Sequence, residues 1–141
     1  MKMMIEGVNL PMRKTIGACG YDIYAPKDFE IRQNEWVSLD TGILMEKGDI
    51  PEGCFAMIDV RSGIGTRNKF RLANTIGIID SDYTMDTIKA TVTAELNKDD
   101  TLAFKKNDRI LQMIIVPFMT IRNEIPPVDE RTGGHGSTGL K

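Results

Sequence analysis

The chain has 141 residues, 41% hydrophobic and 27% charged, with 18 basic against 20 acidic side chains and a formal net charge of -2. That length suits one domain with a sufficient but modest core, about two-thirds of the unfolded surface being buried at this size. The acidic balance (pI 5.4) excludes a globally basic nucleic-acid binder, and no run of ~18 apolar residues offers a membrane helix.

In chain order, Met1-Lys2-Met3-Met4-Ile5 meets Glu6 and Gly7 too early for a secretory signal. Trp36 to Met45 reads as a strand pair broken at Asp40-Thr41-Gly42. After the turn Pro51-Glu52-Gly53, the residues Cys54, Ala56, Ile58 and Val60 alternate with Phe55, Met57 and Asp59, the period of a strand. The best helix candidate is Gly65 to Ala73, with a weak stripe of Phe70, Leu72 and Ala73. Ile88 to Leu96 alternates strictly, with Ile88, Ala90, Val92, Ala94 and Leu96 on one face. Ile110 to Phe118 is almost continuously apolar, the pattern of a strand buried on both faces. Many short strands with frequent turn signals predict an all-β sandwich or barrel. The composition shifts at Pro126-Pro127, beyond which a Gly-rich tail cannot bury apolar surface of its own and is expected to be mobile. Two cysteines, Cys19 and Cys54, favour neither a disulfide framework nor a zinc site, and a cytoplasmic protein is the default.

Charge placement says more than net charge. No acidic residue stands between Val60 and Ile79, where Arg61, Arg67, Lys69 and Arg71 occur. The windows from Arg109 to Asn123 and from Arg131 to the end are likewise free of acids. Each also carries small polar or amide groups: Arg61-Ser62-Gly63, Gln112, and Gly136-Ser137-Thr138-Gly139. Glycine admits an anion to backbone N–H groups, hydroxyls donate, and arginine supplies a planar fork, so a compact polyphosphate is the implied ligand; solvated loop faces are the alternative. In Gly77-Ile78-Ile79-Asp80-Ser81-Asp82-Tyr83, an apolar run precedes two carboxylates, a setting for a general base as well as for a plain hairpin tip.

Taken in order, these segments resemble the five motifs of the trimeric deoxyuridine triphosphatases (dUTPases). They are Gly17-Ala18-Cys19-Gly20-Tyr21-Asp22-Ile23-Tyr24-Ala25, Arg61-Ser62-Gly63-Ile64-Gly65, Asn74 through Tyr83, Asp108-Arg109-Ile110-Leu111-Gln112, and the tail through Gly139. The resemblance implies a distorted β-barrel or jelly roll over residues 1–125 and a flexible Gly-rich arm over 126–141. It also implies a homotrimer with active sites at subunit contacts, no stable nucleic-acid binding, no membrane association, and either a cellular or a viral source.

The implied reaction is hydrolysis of dUTP to dUMP and pyrophosphate, which clears dUTP and supplies dUMP for thymidylate synthesis. By the same resemblance, Asp80 would activate the water and Asp22 would help hold Mg²⁺ through coordinated water. Arg61, Ser62, Gly63 and Gln112 would serve the phosphates, with Arg61 expected to pair with Asp82, and Arg109 is divided between an ion pair and a phosphate contact. Asn74, Gly77 and Ile79 would read uracil's pairing edge; Tyr83 would pack under the deoxyribose. Arg131, His135, Gly136 and Ser137 would close over the nucleotide, with Arg131 on the γ-phosphate and His135 stacking in place of the family's usual Phe.

Two further departures are a spacing one residue shorter between Arg131 and His135 and a hairpin return, Thr84-Met85-Asp86-Thr87, one residue longer and lacking glycine. Rival readings are a dCTP deaminase-like enzyme, for which Asn74 to Tyr83 lacks a glutamate base, and a dUTPase-fold module that binds nucleotide or protein with little or no catalysis.

Overall fold

The computed structural model describes residues 1–128, 131 and 133. The strands are β1 (Lys2–Met3), β2 (Tyr21–Tyr24), β3 (Phe29–Arg32), β4 (Val37–Leu44), β5 (Cys54–Val60), β6 (Arg71–Leu72), β7 (Gly77–Ile79), β8 (Thr87–Thr93), β9 (Thr101–Phe104) and β10 (Arg109–Pro117), with one helix, α1 (Ser62–Asn68). Two antiparallel sheets of four strands, in the orders β1-β4-β8-β6 and β2-β10-β5-β7, are accompanied by a separate antiparallel ribbon, β3-β9. The all-β expectation holds. Among the described residues no helix is long and apolar enough to cross a membrane.

The period-two patterns locate the core. Ile88, Ala90, Val92 and Ala94 are buried, as are Ala56 and Ile58 of β5, and they meet Leu39, Ile43, Ile110 and Leu111 in one cluster. Phe104 closes the cluster at the ribbon, stacked on Phe29 at 4.8 Å and tilted against Phe70 at 5.3 Å. Thr93 breaks the alternation: it is buried, and its hydroxyl donates to the Glu35 carbonyl at 2.6 Å. A short polar side chain can go inside when a backbone acceptor meets it.

Two expectations are corrected in detail. The Trp36 to Met45 stretch holds one strand, Val37–Leu44, and Asp40-Thr41-Gly42 forms a bulge instead of a break. The register runs from Asp40↔Lys89 to Leu44↔Thr87, and buried Thr41 donates to the Ile88 carbonyl at 2.7 Å. Gly42 is required there, because its φ is +72° and a Cβ would lie 2.6 Å from Ile5. The helix spans Ser62–Asn68 and not Gly65 to Ala73. Lys69 adopts a left-handed conformation (φ 48°) that ends the helix, turning Phe70 into the core and releasing Leu72 into β6. Phe70 and Leu72 are apolar for sheet burial, not for a helical stripe.

β10 is central to the second sheet and buries Ile110 and Leu111 completely; both fall at its bulge against β2, between Arg109↔Tyr24 and Leu111↔Ile23. Burial on both faces is met only at Ile110 and Leu111: Gln112, Ile114, Ile115 and Val116 are half-buried and every residue from Pro117 to Val128 is exposed.

Candidate active site

Beyond its bulge, β10 carries Gln112 directly opposite Asp22 of β2 and Asp59 of β5. Residues opposed in an antiparallel pair share a face, so Asp22 and Gln112 belong to one surface. Where β5 ends, Arg61 is extended and starts α1, which puts Ser62 and Gly63 on the helix's first turn, both exposed. Lys14, Gly20, Asp22, Arg61, Ser62, Arg109 and Gln112 line a shared cleft of about 430 Å³.

Asp22 organises the cations. It is 8% exposed; its Oδ1 pairs with Arg61 Nε at 2.8 Å and its Oδ2 accepts from Arg109 Nη1 at 3.0 Å. One carboxylate thus holds two guanidinium groups at the cleft and offsets part of their mutual repulsion. The Gln112 amide donates to the Val60 carbonyl at 3.2 Å, and its Oε1 lies where a Cβ on Gly20 would fall 2.9 Å away. The motif's glycine therefore makes room for the glutamine.

Asn74, Gly77 and Ile79 line a different and smaller cavity of about 180 Å³, between β7 and β8. Gly77 sits so close to Ile58 that an added Cβ would approach it to 3.1 Å. Beyond β7, Asp80 and Asp82 are exposed on the loop, and the Tyr83 N–H donates to the Asp80 carbonyl at 3.1 Å. Tyr83 is buried in the core cluster, its hydroxyl donating to the Thr87 carbonyl at 3.2 Å. Arg131 contacts this loop through both aspartates: Nε donates to Asp82 Oδ1 at 2.8 Å and Nη2 to Asp80.

The expected Arg61–Asp82 pair is corrected by these contacts: Arg61 is held by Asp22, and Asp82 by Arg131. Strand register explains it. Ile79 lies opposite Ala56, near the start of β5, whereas Arg61 follows its far end. The loop carrying Asp80 is therefore about 20 Å from Ser62, at a strand rise of roughly 3.3 Å per residue. Arg109 forms an ion pair, with Asp22 and not with its neighbour Asp108, which accepts the Lys105 N–H at 2.7 Å. His135, Gly136 and Ser137 lie outside the described residues.

Lys14 was not singled out by sequence, although it lines the cleft; its signal is a basic pair, Arg13-Lys14, immediately before the first motif. Arg13 donates to the carbonyls of Ile16 and Ala18, both at 3.1 Å, and so shapes the loop that carries Lys14 and Gly20. The hairpin return needs no glycine, because no residue from 84 to 87 has a positive φ. Asp86 secures it, accepting from the Thr87 N–H at 2.8 Å and pairing with Lys89 at 2.5 Å. Those donors, Lys89 first, hold the Asp86 carboxyl below the usual carboxylate range, and the Asp86 carboxylate in turn raises the Lys89 ammonium.

A family model described as dUTPase matches residues 6–139. The chain belongs to the dUTPase family. It is 35% identical over 145 residues to a deoxyuridine 5'-triphosphate nucleotidohydrolase of Hydrogenobaculum sp., covering 99% of this chain and 96% of the relative. It is 32% identical to one from Paramecium bursaria Chlorella virus 1, with the same two coverages. The fold is similar to that of a mutant dUTPase from phage phi11 of S. aureus, a structure describing the coordination of a structural Mg(II) ion. That likeness has a TM-score of 0.72 at 21% identity and covers 92% of this chain and 95% of the phage chain. The dUTPase fold is thus shared by chains of cellular and viral origin.

Proposed function

We infer that this dUTPase-family chain hydrolyses dUTP to dUMP and pyrophosphate, in an assembly where each active site draws on more than one copy. Family membership over residues 6–139 carries the reaction. The separation of the two half-sites along β5 carries the assembly. A water aligned for in-line attack must lie about 3–3.5 Å from the α-phosphorus. A base some 20 Å, at the strand rise, from the phosphate-binding serine of its own chain cannot serve the same phosphate chain. A second copy that brings its Asp80 loop to the Arg61–Ser62–Gln112 cleft removes the conflict. The exposed apolar side chains Phe118, Met119, Ile121, Ile125 and Val128 after β10 support burial against further copies, and the trimer of the resemblance is the closed arrangement we adopt.

In this reading Asp80 takes a proton from the water as its oxygen bonds the α-phosphorus, and the bond to the β-phosphate oxygen breaks to release pyrophosphate. Arg61, Arg109 and Lys14, with Ser62 and Gln112, neutralise and orient the triphosphate. Asn74 and the backbone around Gly77 and Ile79 select uracil, since groups left unpaired against cytosine cost more than shape alone. Tyr83 closes the sugar side.

The described residues contain no cluster of three or more potential metal ligands. Each oxygen of Asp22 keeps a lone pair beyond its arginine. That donor set fits a magnesium ion carried by the substrate's phosphates and touched through water, not a resident protein cage. When bound, the ion would supply further neutralisation of phosphate charge. The test is pyrophosphate release from dUTP, dCTP, dTTP and UTP with and without Mg²⁺. Selective, Mg²⁺-stimulated cleavage of dUTP is expected, and equal cleavage of dCTP would overturn the uracil-reading model.

A further inference from the structure

The loop from Arg13 to Gly20 rims the Arg61–Ser62–Gln112 cleft without an apolar anchor of its own. No residue from 13 to 21 is buried, and Ile16 is 98% exposed. The loop's ends meet where the Asp22 N–H donates to the Met12 carbonyl at 2.9 Å, and one turn bond runs from the Ala18 N–H to the Thr15 carbonyl at 3.1 Å. A segment with so few buried contacts opens easily. Arg13 supplies the missing restraint. Its Nη1 donates to both the Ile16 and the Ala18 carbonyls at 3.1 Å, and its guanidinium carbon lies 5.9 Å from the centre of the Tyr21 ring. Hydrogen bonds on one side and a ring face on the other suit a planar guanidinium and not an ammonium. The next residue, Lys14, lines the cleft with Gly17, Cys19 and Gly20. The two adjacent cations therefore divide: Lys14 reaches the cleft, and Arg13 is engaged by the loop's own carbonyls.

We propose that Arg13 is a positioning residue for the triphosphate: its guanidinium clamps the loop so that Lys14 stands at the cleft before the nucleotide arrives. The proposal rests on the reading of this cleft as the site of the phosphates. A long cationic side chain on a mobile loop must be ordered as the ligand binds, and that cost subtracts from affinity. On a clamped loop the ordering is already done in the free protein.

The test is calorimetric binding of a non-hydrolysable dUTP analogue to the full-length protein and to Arg13→Ala, Lys14→Ala and the double variant, all at exposed positions. The clamp predicts a dissociation constant about three- to tenfold higher in Arg13→Ala, the scale of ordering one long side chain. Added to Lys14→Ala, the same change should cost less than about twofold further, because the loop then has no cation to place. Equal losses in both backgrounds, or no loss in Arg13→Ala while Lys14→Ala binds more weakly, overturn the clamp and leave the cleft as the phosphate site. Unchanged binding in Lys14→Ala overturns the clamp and the reading of Lys14 as a phosphate contact together. Arg13→Lys keeps the charge without the planar fork and should bind at least about threefold more weakly than the parent; full recovery would assign the effect to charge and overturn the clamp. In nucleotide-free protein, trypsin should cut after Lys14 faster in Arg13→Ala than in the parent, and equal rates likewise overturn it.

Discussion

Asp22 of β2 and Arg61 at the end of β5 are joined at 2.8 Å across the intervening strand β10, which adds Arg109 to the same carboxylate at 3.0 Å. Removing the charge of Asp22 leaves two guanidinium groups facing each other at a partly buried cleft. Asp22→Asn is expected to destabilise the fold by about 1–3 kcal/mol, below the fully buried limit because both arginines reach solvent. Denaturant unfolding measures this, and a variant as stable as the parent would show that the carboxylate does not hold the cleft together.

Gly20 leaves space that the Gln112 amide occupies. Gly20→Ala puts a methyl group 2.9 Å from Gln112 Oε1, and the flexible end of the glutamine must yield. The fold should melt as before, while KM for dUTP rises by roughly an order of magnitude, the scale of one lost hydrogen bond to a charged group. An unchanged KM would detach Gln112 from substrate binding.

Asp80→Asn keeps the loop's shape and removes the carboxylate proposed as the base. Turnover should fall by about 10²–10⁴, the usual worth of a general base, while the dissociation constant for a non-hydrolysable dUTP analogue stays close to that of the parent. Calorimetric binding alongside single-turnover kinetics separates the two effects, and a variant that still turns over rapidly excludes Asp80 from proton transfer.

The Asp86–Lys89 pair predicts an acid-side dependence of stability. Because the folded carboxyl titrates below its unfolded value, its contribution is present above about pH 4 and is lost as pH falls through the folded value. Thermal melts of the parent and Asp86→Asn should differ near neutrality and converge at low pH. A gap that persists in acid would assign the effect to packing.

Residue by residue, the sequence predicts the strands whose two faces differ. β8 and the middle of β5 alternate because one face meets the core, and the pattern survives folding. It misleads where an apolar residue serves a different neighbour: Phe70 and Leu72 resemble a helical stripe but turn into the sheet after Lys69. The Asp40-Thr41-Gly42 turn signal is real chemistry, absorbed as a bulge because Thr41 finds a buried acceptor. The five motifs name the candidate site's residues, yet motif order cannot say which end of β5 each occupies. Register alone separates Asp80 from Ser62 and gives Arg61 to Asp22 instead of Asp82.

That separation carries the central claim, that base and phosphate-binding residues of one active site come from different copies. The direct measurement is complementation between two inactive variants, Asp80→Asn and the double variant Ser62→Ala/Gln112→Ala, unfolded, mixed in equal amounts and refolded together. If sites are shared between copies of a closed homo-oligomer, random assembly restores both intact halves to about a quarter of them, and pyrophosphate release from dUTP returns to that level. If each chain serves its own site, the mixture will show no more than the summed residual activities of the two variants.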